Sequence, residues 1–211
     1  MITPINEKLH SLNESKYRML EEKNACPEYR EYRSNWERYP KERIVEKPLN
    51  LDIELTNKCN LQCVMCPATI YRYDNCGFME ESLYKHIIDE AAAENIPAIK
   101  LIWRGESMLH SKLITFIQYA KEKGIIDVLL NTNATLMTPE MSKKLIASGL
   151  DKIFFSFDSP YKEKYEAIRV GADYDTVLYN IKTFYERNSL HNDKSKELNN
   201  SHIITSIFFE I

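Results

Sequence analysis

The chain has 211 residues, 44% of them hydrophobic, and a net charge of −3 from 28 basic and 31 acidic residues. This length suits one domain, or one domain with an extension, and the composition allows a sizeable core. The balanced charge gives no electrostatic reason to expect nucleic acid or an anionic membrane as a partner. No apolar run reaches membrane-spanning length and no signal-peptide pattern opens the chain, so we expect a cytoplasmic protein without membrane contact.

The first part of the chain is predicted to be helical. Apolar residues at helical spacing indicate one helix near residues 9–20. Tyr29, Tyr32 and Trp36 then mark one face of a second helix. Pro40 is expected to begin the connector that leads into the main domain.

The first predicted strand, Leu51–Thr56, leads into a loop that contains three cysteines. Cys59, Cys63 and Cys66 have the spacing C-x3-C-x2-C. Three thiolates on so short a loop can ligate one iron–sulfur cluster and leave one iron of a cubane without a protein ligand. An open iron position can bind a substrate or cofactor, by the logic that separates catalytic from structural zinc sites. The spacing therefore favours a catalytic cluster over a simple electron store.

Other uses of these cysteines stay open on spacing alone. A structural zinc site normally has four protein ligands, and His86 and His110 could complete one, although neither has ligand spacing. Cys76 could instead supply the fourth thiolate of a non-catalytic iron–sulfur or zinc protein. A disulfide is the least favoured use, because the chain has five cysteines, an odd number, and no secretory signal precedes them.

Apolar strands and amphipathic helices alternate after the cysteines, which predicts a parallel sheet with helical crossovers and hence an α/β fold. Gly124 and Gly149 are expected to end the second and third crossover helices, and Thr138 to cap the start of the third. The short apolar runs that mark the next three strands are Ala98–Trp103, Ile126–Asn131 and Lys152–Phe157.

The last part of the chain is predicted to contain a loop and a fifth strand. Residues 188–201 are polar and indicate an exposed loop, and His202–Ile211 is apolar enough for a strand. A parallel strand without a covering helix is an unusual end for a sheet. We therefore expect the chain to be a fragment, truncated after its fifth strand.

The motifs and their order resemble those of the radical S-adenosylmethionine (radical SAM) superfamily. Arg104-Gly105-Glu106, after the second strand, is similar to the family's Gly-Gly-Glu motif. Three further matching segments, each at the family's place in the chain, are Asn131–Leu136, Ser156–Pro160 and Tyr165–Arg169. The resemblance implies a partial TIM-like barrel of parallel strands with outer helices, of the kind often followed by a C-terminal auxiliary-cluster (SPASM-type) domain. It divides the chain into a helical extension, 1–48, and an incomplete core, 49–211.

The resemblance also implies two cofactors, a 4Fe–4S cluster and S-adenosylmethionine, with Cys59, Cys63 and Cys66 as the ligands of the cluster. Enzymes of the family cleave S-adenosylmethionine reductively to methionine and a 5′-deoxyadenosyl radical, which abstracts hydrogen from a substrate. Such an enzyme needs an electron donor such as flavodoxin or ferredoxin. The substrate is unidentified, and both a peptide and a sugar or nucleotide metabolite fit.

Eight further residues are expected to contact the S-adenosylmethionine. Most of them follow predicted strands, and parallel βα folds gather their functional groups at the carboxyl ends of strands. By resemblance, Gly105 would let the backbone approach the methionyl amino group, and Glu106 would accept its N–H bonds. Arg169 suits the carboxylate through its planar fork. The full set is Met65, Gly105, Glu106, Asn131, Asn133, Ser156, Asp158 and Arg169.

Several of these residues also have simpler structural interpretations. Glu106 could cap the following turn, Asp158 could form a turn, and Arg169 could pair with acidic neighbours on the surface. Arg104 and Ala134 stand where the family pattern often has glycine. A locally different backbone is therefore expected at both positions.

Overall fold

A computed structural model of the chain describes residues 26–42, 47–71, 74–194 and 204–208. The chain divides into two units, Met1–Leu49 and Asn50–Ile211. The strands described in the second unit are β1 (Asn50–Ile53), β2 (Ala98–Leu101), β3 (Asp127–Thr132), β4 (Lys152–Ser156) and β5 (Ile204–Phe208). Its described helices are α2 (Pro67–Tyr71), α3 (Glu81–Ala93), α4 (Leu113–Glu122), α5 (Pro139–Ala147), α6 (Lys162–Ile168) and α7 (Tyr174–Lys194), with a 3₁₀ turn at Ser107–Leu109.

In the first unit the described residues form one helix, α1 (Pro27–Glu42). It confirms the predicted aromatic face, since the rings of Tyr29 and Tyr32 lie 5.8 Å apart and those of Tyr32 and Trp36 6.1 Å apart. The prediction that the connector begins at Pro40 is wrong, because the helix continues through this residue to Glu42. A proline so close to a helix end removes one backbone donor and leaves the earlier turns intact. The other predicted helix, near residues 9–20, lies outside the described residues.

The five strands that the structure describes in the second unit form one sheet in the consecutive order β1-β2-β3-β4-β5, and every neighbouring pair is parallel. Each connection between neighbouring strands carries at least one helix. The strand order follows the chain order without a reversal. This is the order found in parallel barrels, whereas an open doubly wound sheet reverses its strand order at a switch point. The predicted α/β architecture is confirmed.

The two faces of the sheet differ in polarity. Ile99, Leu101, Val128, Leu130 and Ile153 are buried in one hydrophobic cluster with residues of the helices. Successive strand residues point to opposite faces, so the residues between them share the other face. Those residues include Lys100, Asn131 and Phe154, and all of them are half-buried. The helices therefore cover one face, and the strand alternation places polar groups on the face that a barrel would enclose.

The predicted helix boundaries in the middle of the chain are confirmed. The hydroxyl of Thr138 accepts a hydrogen bond from the backbone N–H of Met141 at 3.2 Å, as an N-cap does. Gly124 and Gly149 follow α4 and α5 with φ values of 89° and 86°. This left-handed backbone is available to glycine without a steric penalty.

Two predicted segments differ from the structure. The first strand ends at Ile53 rather than Thr56, and Thr56 instead forms an isolated antiparallel bridge with Phe78. The predicted loop at residues 188–201 is helical as far as Lys194, because α7 continues through this polar stretch. The stretch contains neither glycine nor proline before residue 195, so nothing in its backbone chemistry ends the helix. No described helix is both long enough and apolar enough to cross a membrane.

Candidate functional site

The cysteine loop connects β1 to α2. Cys59 is exposed, Cys63 is buried and Cys66 is half-buried, and none of them is in a disulfide. The carbonyl oxygen of Cys66 accepts hydrogen bonds from Thr69 and Ile70 at 3.0 and 3.1 Å, so the third cysteine forms the first turn of α2. Burial raises the pKa of the Cys59 thiol, and the charges of Glu106 and the other two cysteines raise it further.

A strand-like contact holds the middle of the loop. The backbone N–H groups of Gln62 and Val64 donate to the carbonyl oxygens of Val170 and Ile168 at 2.9 and 3.1 Å. These two donors flank Cys63 on either side. The buried cysteine is therefore fixed by backbone bonds to the last residue of α6 and to the segment after it.

Glycine allows a second close contact at the start of the loop. A β-carbon on Gly105 would lie 2.0 Å from the carbonyl oxygen of Thr56 and 2.7 Å from that of Lys58. The next residue, Glu106, donates its backbone N–H to the same Lys58 oxygen at 2.9 Å. Packing of the segment after β2 against the cysteine loop is thus a sufficient reason for glycine at position 105. This reason differs from the close approach to a cofactor that the family resemblance implies.

Glu106 presents a buried carboxylate at the ends of β2 and β3. It accepts hydrogen bonds from the backbone of Met108 at 3.1 Å, the hydroxyl of Thr132 at 2.9 Å and the backbone of Asn133 at 2.8 Å. The bond from Met108 shows that Glu106 does cap the following turn. Burial raises the pKa of this carboxyl group, although the three hydrogen bonds oppose the shift. All three donors are uncharged and the Arg169 charge lowers the pKa only in part, so a cationic ligand would further stabilise the ionised form.

Asn133 links the end of β3 to the cysteine loop. Its side-chain N–H group donates to the Oδ1 atom of Asn60 at 3.0 Å and lies 3.9 Å from the sulfur of Cys59. Asn60 in turn donates to the hydroxyl of Thr135 at 2.7 Å. Ala134, where the family pattern often has glycine, has a φ of 59°. Ala134 therefore has the left-handed backbone that a glycine at this position would readily adopt, although alanine rarely adopts it.

An ion pair between the segments that follow β4 and α6 reaches the loop. Asp158 accepts hydrogen bonds from two nitrogens of the Arg169 guanidinium, Nε and Nη2, the latter at 2.9 Å. The remaining nitrogen, Nη1, lies 3.7 Å from the sulfur of Cys63. Burial lowers the pKa of Arg169, but the Asp158 carboxylate outweighs it and the net shift is upward. Arg169 lies just beyond the end of α6 rather than on it, and its partner is Asp158 rather than a surface acid.

The other predicted contact residues occupy less enclosed positions. Met65 is 46% exposed in the loop, and Ser156 is half-buried at the end of β4. Asn131 lies on the polar face of β3, and its buried Oδ1 atom has no hydrogen-bond partner in the structure. An unpaired buried acceptor is costly unless a ligand or water donates to it. These three residues were predicted to contact the cofactor, and that role stays a prediction.

Sequence reasoning missed several residues of the site. Glu54 accepts two bonds from the Arg104 guanidinium, at 3.0 and 2.6 Å, and one from the Arg104 backbone at 2.9 Å. This ion pair occupies the Arg104 guanidinium. Asn60 and Thr132 were missed as well. The acidic residues at alternate positions, Asp52 on β1 and Glu54 just after it, were the available signal for the first of these.

The histidines considered for zinc are occupied elsewhere. His110 is buried and uses both ring nitrogens, one against the carbonyl oxygen of Met79 at 3.0 Å and one accepting from Lys112 at 3.1 Å. His86 is exposed and lies 3.4 Å from Glu90. Across the described ranges, no group of three or more His, Cys, Asp or Glu side chains is placed to hold a single metal ion.

The donor set at this loop, three thiols, fits an iron–sulfur cluster. Zinc draws its thiolates to one centre at about 2.3 Å each. In a cubane each thiolate binds a different iron, so the three sulfurs need not converge on one point. Cys76 is exposed, and its neighbours Asn75 and Gly77 are bonded to the side chain of Asn57 at 2.9 and 2.8 Å. It therefore lies on a segment tied to the residues just before the cysteine loop.

Comparison with known proteins decides the family. A family model described as "Radical SAM superfamily" matches residues 53–192, which is more than half of the chain. The chain belongs to the radical SAM superfamily. The match confirms the resemblance seen in the motifs, and with it the class of enzyme and the two cofactors, a 4Fe–4S cluster and S-adenosylmethionine. Enzymes of this superfamily need a reductant and a substrate.

Two curated relatives show how far the similarity extends. The tungsten-containing aldehyde ferredoxin oxidoreductase cofactor-modifying protein of Pyrococcus furiosus is 35% identical over 111 residues, which cover 51% of this chain and 30% of that protein. The AdoMet-dependent heme synthase of Methanosarcina barkeri is 34% identical over 116 residues, covering 55% and 33%. The matched region therefore spans about a third of the length of these relatives.

A solved structure supports the fold. BtrN, in complex with AdoMet and 2-DOIA, aligns with a TM-score of 0.56 and 17% identity, over 78% of this chain and 58% of that one. At this identity the likeness concerns the fold alone. Together with the parallel sheet, it confirms the predicted partial barrel.

Proposed function

We propose that this chain is a radical SAM enzyme core in which Cys59, Cys63 and Cys66 hold the 4Fe–4S cluster. The observation that carries the proposal is the placement of three free thiols on one loop beside the buried carboxylate of Glu106. The thiols supply the ligands for three irons, and the carboxylate suits a cationic ligand next to them. S-adenosylmethionine has both an ammonium and a sulfonium charge.

The remaining polar groups at the strand ends are proposed to hold that cofactor. Glu106 would accept bonds from its amino group, and the unpaired oxygen of Asn131 is a further acceptor. Arg169 is the proposed partner of its carboxylate, which requires the guanidinium to share or exchange the two bonds that it makes to Asp158 in the structure. The other proposed contacts are Met65, Gly105 (through its backbone), Asn133, Ser156 and Asp158.

When bound, the two cofactors supply reductive cleavage of S-adenosylmethionine and a 5′-deoxyadenosyl radical for hydrogen abstraction. The residues of this chain bind and orient them and keep water from the enclosed face of the sheet. We propose flavodoxin or ferredoxin as the class of electron donor and the cytoplasm as the location. The substrate stays open between a peptide and a sugar or nucleotide metabolite. Residues 1–48 are proposed as a helical extension and 49–211 as the core.

Anaerobic reconstitution of the chain with iron and sulfide tests the proposal. We expect about four irons per chain, because three thiolates on a short loop suit one cubane. Alanine at any one of Cys59, Cys63 and Cys66 should abolish the uptake, and alanine at Cys26 should not. S-adenosylmethionine should alter the paramagnetic spectrum of the reduced cluster, because the open iron would bind it. Stoichiometric zinc, or a spectrum indifferent to the cofactor, would contradict the proposal.

The alternative is a non-catalytic iron–sulfur or zinc protein that uses Cys76 as a fourth ligand. The bonds that tie Asn75 and Gly77 to Asn57 make this alternative worth testing. Cys76→Ala should spare the cluster if the proposed function is right and destroy it under the alternative. The effect of S-adenosylmethionine on the spectrum of this variant then gives a second, independent answer.

A further inference from the structure

The thiol of Cys63 lies beside the charged guanidinium of Arg169. Its sulfur lies 3.7 Å from the Nη1 atom of Arg169, which donates toward it. The same guanidinium uses its Nε and Nη2 atoms to bind the carboxylate of Asp158. A cation and an anion therefore sit in fixed order beside one thiol of the loop, with the cation nearer the sulfur.

The backbone makes this order rigid. Ile168 and Val170, on either side of Arg169, accept hydrogen bonds from Val64 and Gln62, on either side of Cys63. The two short segments are thus paired residue against residue, with the arginine facing the cysteine. The side chains of Arg169 and Asp158 are 16% and 9% exposed, so solvent screens their charges weakly.

We propose that Arg169 and Asp158 set the reduction potential of the cluster bound through Cys63; this rests on the proposed function. Reduction adds negative charge to the cluster, and a hydrogen-bonded cation beside a ligating sulfur stabilises that charge. Arg169 therefore raises the potential. Asp158 offsets part of the positive charge and lowers the potential again. The guanidinium stays protonated at any working pH, so the two effects persist as the pH changes.

The opposite signs of the two contributions give a sharp test. The potential is measured on the full-length, reconstituted chain by dye-mediated redox titration, followed through the visible absorbance of the cluster. S-adenosylmethionine is left out, so that a role of either residue in binding it does not enter. Arg169→Gln should lower the potential, because it removes the cation and leaves Asp158. Asp158→Asn should raise it, because it leaves the cation without its counter-charge.

Two further variants complete the set. The double variant Arg169→Gln, Asp158→Asn should return the potential toward that of the unaltered chain. Lys162→Gln, on α6, is the matched control, since it removes one positive charge from an exposed side chain that pairs with Asp175 at 2.5 Å. It should leave the potential unchanged. A purely structural role of the pair would give shifts of one sign, or none.

Iron content and thermal melting are measured for every variant. If Arg169→Gln fails to take up iron, the direction of the Asp158→Asn shift decides alone, and a downward or absent shift overturns the proposal. Failure of both variants to take up iron would show that the pair only supports the loop, and would also overturn it. Equal potentials in variants that all carry the cluster would leave the proposed function standing and remove this inference. An unaltered chain that takes up no cluster would overturn both.

Discussion

The position that a β-carbon would occupy on Gly105 lies 2.0 Å from the carbonyl oxygen of Thr56. The contact is with backbone atoms, which cannot move aside as the end of a flexible side chain can. It brings the segment after β2 directly against the start of the cysteine loop. Arg104 stands next to it and keeps its side chain on Glu54, away from this contact. The close packing thus needs one glycine at this point of the motif.

We expect Gly105→Ala to destabilise the chain and to impair cluster uptake. Forcing a methyl group into a filled space costs about 1–3 kcal/mol of unfolding free energy. Urea unfolding of the cluster-free chain measures the first effect, and iron per chain after reconstitution measures the second. Gly77→Ala is the control, because a β-carbon there meets nothing within 4 Å and the backbone is not left-handed. Equal behaviour of the two variants would mean that the Gly105 segment moves freely away from the loop.

The segment after α6 makes a second contact that substitution can test. Gly171 has a φ of 96°, and a β-carbon there would meet Leu61 of the loop at 3.5 Å, an ordinary contact distance. Gly171→Ala should cost about 1–2 kcal/mol of unfolding free energy, because alanine is strained in this backbone region. Relief of that strain would shift Val170, whose carbonyl oxygen holds the loop. Reduced iron uptake is therefore expected as well.

Gly124→Ala separates strain from loop support. Gly124 has a similar φ of 89°, but it follows α4 and has open space around its β-carbon position. The Gly124→Ala variant should lose about as much unfolding free energy as Gly171→Ala and still take up a full complement of iron. Iron uptake that falls equally in both variants would show that general instability, rather than the contact with the loop, controls cluster binding.

The ion pairs of this chain should contribute differently to the unfolding free energy according to their burial. Lys152 pairs with Asp127, whose side chain is completely buried. Lys152→Met should cost about 3–5 kcal/mol, because it leaves a buried carboxylate without this cation. The exposed pair of Lys162 and Asp175 offers the comparison, and Lys162→Met should cost far less, because water screens the charges of that pair. Chemical unfolding of both variants at neutral pH measures the difference, and similar values would contradict it.

The features of this fold that sequence predicted are those with a local cause. Short apolar runs marked the strands of the sheet, because a buried strand needs apolar residues wherever it lies. Thr138 and Gly149 marked the ends of α5, because capping involves only neighbouring backbone groups. The three cysteines were visible for the same reason, since their spacing lies within one loop.

The features that sequence did not predict depend on residues distant in the chain. The pair of Arg104 and Glu54 joins two strand ends, and no spacing rule connects positions that far apart. The left-handed backbone of Ala134 follows from its surroundings, including the hydrogen bond that its carbonyl oxygen accepts from the side chain of Asn180, rather than from alanine itself. The same holds for the approach of Arg169 to Cys63. The placement of groups on one rim was thus predictable, and their pairing was not.

The buried carboxyl group of Glu106 should make stability depend on pH. Its pKa is raised above the ordinary value of 4.5, so the protonated form is favoured in the folded chain. The stability that this group contributes is therefore fully present below pH 4.5 and is lost as the pH rises toward the raised pKa of the folded state. In Glu106→Gln the titration is absent. The unfolding free energy of the unaltered chain minus that of the variant should fall as the pH rises from about 4.5.

Glu81 provides a control of opposite sign. It is exposed, and the bonds and charges of Lys112 and Lys85 lower its pKa to about 2. Its contribution should therefore grow as the pH rises from 2 and stay constant above the ordinary carboxyl value. Unfolding free energies of the cluster-free chain, Glu106→Gln and Glu81→Gln, measured in urea from about pH 2 to 7.5, give the two differences. A Glu106 difference that rises with pH would mean that the bonds from Met108, Thr132 and Asn133 outweigh burial. The carboxylate would then have no need of a cationic ligand.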